Sequence, residues 1–401
     1  MGIQINGQTD TISAIDGSLT VSGAELSGTS NINVSGIVTA SQIRVGTAVT
    51  VGISSIQVGS SFIQNNAIGL GQTTTTGRNA GINTAIGTLI YNATTSSLEY
   101  YNGVLWSSLS SFAATGGTES TTLRSGYKVH TFTGSGSLVV SAGTKNIELL
   151  VVGSGGGGGA CNTGDAGGGG GGAGTLYYNG NFPLTPGTYT VTIPGGGSGS
   201  TNPASHAAQA SAVVFGPITA PGGGGGGSTR DTSPHPAGGS TGGCGSDQAP
   251  NTATAASGAP GGTAGSNSPP VGWGNAGSPN DSGSWGAGGG GAGSAAPPAP
   301  GASAPSSSPG GTGLAYSING TSTTYAGGGG GGLFGGSGGS AGTGGGPGGP
   351  FAGAGNGTKG GAGANATANT GSGGGGGGMT SPTSFPGGNG GSGIVIVAYT
   401  I

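Results

Sequence analysis

The side chains of this chain that could carry acid–base, nucleophilic or metal chemistry are few and scattered. His130, His206 and His235 stand far apart, and the acids Asp165, Asp231, Asp247 and Asp281 show neither the spacing of an EF-hand loop nor the repeated G-G-x-G-x-D unit of a calcium-binding roll. No metal set follows from them. Arg230-Asp231 reads as a solvated turn. G-x-G-x-x-G matches recur, but in a chain with 106 glycines they carry no information without a strand–turn–helix context and a following acid. GNGTKG around Lys359 is not a phosphate-cradling loop, since Gly360 follows the lysine. The catalytic inventory is close to empty, so the expectation is a non-enzyme without a cofactor.

What remains is contact chemistry. Trp273, Trp285, Tyr316, Phe334, Phe351 and Phe385 are the conspicuous side chains among the glycines. Exposed aromatic rings stack on sugar faces and anchor interfaces, whereas buried ones fill gaps, and both readings stand at this point. Trp273 and Trp285 flank a stretch that reads as a loop; with Tyr316 and His235 they are the candidate contact residues. Cys161 and Cys244 lie beside glycine runs that could be neighbours, which leaves open either a disulfide or two buried thiols, because spacing alone does not show that their Cβ atoms meet.

The background against which these residues stand is unusual. Of 401 residues only 17 are charged, giving a net charge of −3, and the apolar set is 31%. No basic stripe suits a phosphate backbone, so nucleic acid is not expected as a partner. No apolar run reaches the roughly 18 to 20 residues of a membrane helix, and the opening MGIQINGQTD lacks the basic and apolar regions of a secretory signal. The expectation is a chain made in a cytoplasm, with no membrane insertion.

Two materials are joined in it. Residues 1–150 hold 21 of the glycines and no proline, while residues 151–401 hold all 22 prolines. The first part is rich in Thr, Ser, Ile and Val in short alternations that read as strands with one buried face. Residues 1–85 carry too few large side chains for a core within one chain, which predicts a β-rich stalk and attachment segment built from several copies, a homotrimer being the expected form. Residues 86–125 predict a β-meander connector, with turns at Thr94–Ser97 and at Asn102-Gly103, the latter a type I′ hairpin signal.

Residues 126–401 predict a glycine-rich head. YKVHTFT, KNIELLVVG, GTLYYNG, GTYTVTI, SAVVFGPI and GIVIVAYTI read as strands. The continuous apolar runs at 147–152 and 394–397 suit strands buried on both faces that pair with each other, which makes the interval an insertion into a β-sandwich or jelly-roll. That interval carries glycine runs at 155–159, 167–172, 222–227, 288–291, 327–332 and 373–378. Repetition within a frame of strands argues for a bundle of polyglycine II helices rather than flexible linkers. Such a helix has three residues per turn and no internal hydrogen bonds, so its backbone must pair with neighbours. A central helix then needs glycine on every face, while a peripheral one, such as 335–350 or 355–366, turns other residues and Lys359 to solvent. The fold class expected is therefore all-β, with an inserted polyglycine II bundle.

YNGVLW closing the connector resembles a small β-module of bacteriophage tail fibres, and GIVTA…VGTAVTVG is similar to repeats in structural proteins of marine cyanophages. LLVVGSGGGGG and GGNGGSGIVIVAY, framing 127–401, resemble the glycine-rich domain of phage tail-fibre adhesins; a similar construction occurs in some animal receptor kinases. The resemblance implies a virion fibre protein that attaches through its N-terminus to other virion proteins and touches a host-surface glycan or protein through loops at the tip of the head. Segments 228–287 and 292–326 are longer and richer in Pro, Ser and Ala than that adhesin pattern. A capsid-decorating or structural fibre without a specific receptor is the alternative, and an extracellular antifreeze or matrix protein a more distant one.

Overall fold

The computed structural model describes residues 4–6, 11–13, 42–45, 49–52, 55–58, 61–64, 67–81, 85–109, 112–162, 167–230, 238–246, 274–279, 285–298, 306–335, 340–341 and 354–401. The chain divides into two compact units, Met1–Ser107 and Ser108–Ile401.

In the first unit, β1 (Gln4–Asn6) and β2 (Thr11–Ser13) form an antiparallel pair. The strands β3 (Gln42–Val45), β4 (Val49–Gly52), β5 (Ser55–Val58), β6 (Ser61–Gln64) and β7 (Ala67–Gly69) follow as a meander in chain order. A third sheet has the order β11-β10-β9-β8, from β8 (Gln72–Thr73), β9 (Leu89–Asn92), β10 (Ser97–Tyr101) and β11 (Trp106–Ser108). Between its first two strands lies a short helix, α1 (Thr75–Gly81), that alternation did not predict. Thr74 caps it: its hydroxyl accepts from Gly77 N at 3.1 Å, satisfying one of the free N–H groups of the first turn. The expected turn at Asn102-Gly103 is present but longer than two residues. Asn102 Oδ1 accepts from Val104 N and Leu105 N, both at 2.9 Å, so the side chain itself closes a four-residue loop.

The second unit is built on two five-stranded sheets. One runs β12-β15-β18-β19-β20, from β12 (Ala113–Thr115), β15 (Gly136–Ala142), β18 (Gly187–Thr192), β19 (Val213–Phe215) and β20 (Ile218–Ala220). The other runs β13-β14-β25-β16-β17, from β13 (Thr118–Ser120), β14 (Tyr127–Phe132), β16 (Lys145–Val152), β17 (Leu176–Leu184) and β25 (Ile394–Thr400). The chain crosses between the sheets at Gly116 (φ +134°) and Gly117 (φ +62°), where a Cβ would strike the backbones of Ser137 and Thr131. Strands 113–115 and 118–120 thus pair into the sandwich. Two small hairpins, β21 (Leu314–Tyr316) with β22 (Thr323–Tyr325) and β23 (Met379–Thr380) with β24 (Thr383–Ser384), complete the described strands.

The framing strands pair as the apolar pattern predicts: β16 and β25 are antiparallel neighbours with Val152 opposite Ile394. One face of that pair meets the other sheet through Leu149, Val151, Val395 and Val397. Its opposite face, Leu150, Val152, Ile394 and Ile396, is covered by Ala173, Ala292, Ile318, Tyr325 and Ala326. Burial on both sides is what an uninterrupted apolar run requires. The interval between the two strands is only partly an insertion, because β17 to β20 return to the sandwich; the glycine segments leave it beyond Val152 and re-enter at Ile394.

Candidate functional site

Glycine builds the bundle by letting backbones approach. None of the six runs forms helix or ladder hydrogen bonds of its own; their residues pair instead with other segments of the chain, many of them other runs. Gly170 N donates to Ala287 O, Gly171 N to Gly374 O and Gly172 N to Gly224 O, all at 2.8 Å. Their carbonyls accept from Gly243, Gly329 and Gly156. Three successive residues therefore engage six different rods, and the pattern repeats every third residue: Gly168, Gly171 and Gly174 all donate to the 371–377 rod. That is the threefold screw of polyglycine II. The 153–161 and 371–378 rods are surrounded in the same way. A Cβ on Gly155–Gly159 or Gly167–Gly172 would meet backbone of an adjacent rod well inside 3.0 Å, so glycine on every face is a packing requirement. Around 354–366 the requirement relaxes, as expected for a peripheral rod: Asn356, Lys359, Ala362, Ala364 and Asn365 are exposed.

The bundle has two ends. One abuts the sandwich, where Gly153 follows β16 and Thr175 precedes β17. At the other, Gly159 pairs with Gly169, Gly168 with both Gly332 and Gly377, and Ala287 with Cys244. Ala160, Thr229, Ser246 and Trp285 lie at this far end, next to segments 163–166, 231–237, 247–273 and 280–284 in the sequence, whereas Gly238 and Gly274, which follow two of those segments, lie at the sandwich end beside Gly222 and Gly239. Two buried polar atoms at the far end have no hydrogen-bond partner, Thr229 Oγ1 and Trp285 Nε1.

The contact candidates separate in this geometry. Trp285 is half-buried at the far end, one residue before Gly286, which pairs with Gly332. Tyr316 lies at the opposite end: its ring is 4.6 Å from that of Tyr178, and it packs against the cluster under β16 and β25. Burial raises the pKa of Tyr316, and burial together with neighbouring Glu148 pushes Tyr178 up to about 12. Trp273, His235 and Phe351 lie outside the described residues, as do the four aspartates considered above. Phe334 and Phe385 are half-buried against the rods.

Neither cysteine forms a disulfide in this structure, and both are buried. Cys161 ends the 153–161 rod and donates to Gly378 O at 2.8 Å, while Cys244 lies on the 238–246 rod, bonded to Ala287. The 167–175 and 221–229 rods each pair with both of these rods and stand between them. Burial pushes the Cys161 thiol up, so the neutral form is favoured.

Sequence reasoning missed a polar cluster at the sandwich edge. Glu119 binds Lys128 at 2.7 Å, and His130, fully buried, contacts Gly116 O at 2.8 Å and the Tyr399 hydroxyl at 3.2 Å. Burial lowers the pKa of His130; the hydrogen bond from Lys128 lowers that of Glu119. Only the strand alternation that turns His130 inward could have signalled it. The cluster ties β12, β13, β14 and β25 together and presents no open nucleophile.

Residues 130–400 match the glycine-rich domain family. No curated protein matches the chain in sequence.

Proposed function

We propose that this chain, which belongs to the glycine-rich domain family, is a virion fibre protein whose glycine-rich head adheres to the surface of a host bacterium. The observation that carries the reading is the division of labour in the head. Rods made mainly of glycine are locked to their neighbours by backbone hydrogen bonds, the central ones to six others each, and Pro-, Ser- and Trp-bearing segments connect them along the chain. A scaffold of that kind tolerates change in the segments without loss of its own packing, which is what a variable contact surface needs. The resemblance of the framing strands and of the YNGVLW hairpin to phage tail fibres supports the same reading.

In this reading the chain is a homotrimer that attaches to other virion proteins through its N-terminal part and is located in the virion. Trp273, Trp285 and His235 are the contact residues toward a glycan or protein on the host surface. Tyr316, packed against Tyr178, contributes to the scaffold instead. With 17 charged residues in 401, contact relies on aromatic stacking and neutral hydrogen bonds, so adhesion changes little with salt. The test is adsorption of the purified, fluorescently labelled full chain to a panel of bacterial cells, paired with immunogold imaging of virus particles. Saturable adsorption to a subset of strains and label on tails support the reading. Label on tails or capsids without adsorption to the strain the virus infects leaves a structural fibre in its place.

A further inference from the structure

Residues 113–120, AATGGTES, form one edge of each sheet in the sandwich. β12 is the edge strand beside β15 and β13 the edge strand beside β14, with the crossover at Gly116-Gly117 between them. A single segment therefore covers two strand edges whose N–H and C=O groups would otherwise be open. It adds little to the core, since of these residues only Ala114 is buried. What holds it is polar. Lys128 Nζ donates to Ala114 O at 3.1 Å and pairs with Glu119 at 2.7 Å, and Gly116 N donates to Glu119 Oε1 at 2.9 Å. At the centre the fully buried His130 meets Gly116 O at 2.8 Å through Nδ1 and the Tyr399 hydroxyl at 3.2 Å through Nε2.

A carbonyl only accepts, so Nδ1 carries the proton of the neutral ring and Nε2 accepts from Tyr399. The Tyr399 hydroxyl also takes a backbone hydrogen bond from Ala114. This chain of bonds is complete with a neutral imidazole. A proton added at Nε2 would point at the proton of the Tyr399 hydroxyl, which would have to give up its acceptor. Among the described residues the charged and titratable groups facing His130 are Glu119 on β13, Lys128 on its own strand and Tyr399 on β25; β12 and β15 bring none. Glu119 lies 3.7 Å from Nδ1, but its carboxylate already neutralises Lys128. We propose that residues 113–120 are an acid-released strap: neutral His130 holds both short strands on their sheets, and protonated His130 lets them go while the sheets behind stay folded. Lifting the strap takes Gly116 and Glu119 away from the ring and opens it to water, where an imidazolium is solvated. Burial keeps the docked ring below the ordinary histidine pKa, so the strap is held above that value and loosens as pH falls through it. The freed edges of β14 and β15 are then open to a further strand. None of this depends on whether the head binds a host.

The test is hydrogen exchange on the full chain, read by mass spectrometry at pH 7.5 and 5.5 and corrected for the intrinsic pH dependence of amide exchange. With an ordinary histidine pKa of about 6.5 in the lifted state, the lifted population grows about tenfold across that interval when the docked ring stays neutral. Protection in 113–120 is expected to fall by about that factor, while β16 and β25 keep theirs. His130→Gln, whose amide offers a donor and an acceptor in place of the neutral ring, is expected to remove the response. Glu119→Gln, which leaves His130 in place, is expected to retain it, as is His206→Gln, a histidine outside both sheets. The wild-type and Glu119→Gln measurements stand even where His130→Gln fails to fold. Equal strap protection at both pH values, equal losses in strap and core, a response that persists in His130→Gln, or one abolished by Glu119→Gln would each overturn the inference.

Discussion

Replacing Gly171 by alanine adds one methyl group to a rod that has no space for it. The new Cβ would lie 2.7 Å from Gly157 O and 2.8 Å from Gly156 C, and closer still to Gly156 O. All three are backbone atoms of the 153–161 rod, so no side chain can swing aside. Moving that rod outward by about 1 Å stretches the bonds Gly156 N to Gly172 O and Gly159 N to Gly169 O, now 2.9 and 2.8 Å. Buried groups left unpaired cost about 1–3 kcal/mol each, while alanine recovers about 0.4–1 kcal/mol by restricting the unfolded chain. The balance is a loss of about 1–5.5 kcal/mol. With an unfolding entropy of about 2.1 cal/mol/K per residue, a unit of this size melts roughly 2–9 °C lower. Gly195→Ala provides the contrast, because Gly195 is exposed and nothing lies within 4 Å of its Cβ position. Only the unfolded-chain effect applies there, and the melting temperature should rise by about 1 °C. Scanning calorimetry of the full chain reads both. Equal shifts at the two sites, or no shift for Gly171→Ala, would refute the packed-rod argument in favour of flexible linkers.

The neutral, buried His130 makes the head acid-sensitive. Its folded pKa lies below its unfolded value, so its stabilising effect is complete above the unfolded pKa and fades as pH falls through it. Melting temperature should drop between pH 7.5 and 5.5, and His130→Gln should flatten that slope; a wild-type profile flat across the range would contradict this. Cys161 and Cys244 should resist a thiol reagent in the folded chain and both react in denaturant, whereas fewer than two reactive thiols in unreduced, denatured protein would reveal a bond. Tyr316→Ala should cost about 1–3 kcal/mol by removing packing against Tyr178 and the cluster beneath β16. It should leave adsorption to cells intact, and an adsorption defect at unchanged melting temperature would place Tyr316 in the contact surface.

Much of this architecture is legible in the chain because its parts speak in different ways. β16 and β25 announce themselves as unbroken apolar runs, and their pairing follows from burial on both faces. The rods announce themselves as repeated glycine runs. Which rod lies beside which does not, since a glycine carries no side chain by which to recognise a neighbour, and six-way packing has no sequence period beyond the three-residue turn. The separation of Cys161 from Cys244, and of Tyr316 from Trp285, depends on that order and so was hidden. The open face of the 89–101 hairpin was hidden for a different reason: alternation shows that the strand has two faces, but here an ion pair and an asparagine, not the leucines, turn inward.

The account's central claim is that a glycine scaffold holds the head together while the segments that connect its rods make contact with the host. Replacing residues 247–273 in the full chain with a Gly/Ser segment of equal length separates the two roles, with adsorption to host cells and melting temperature measured on the same preparation. The account predicts lost adsorption at a melting temperature within about 1 °C of wild type, since the rods hold one another through their own backbone hydrogen bonds. Undiminished adsorption, or a collapse of the melting temperature, would contradict it.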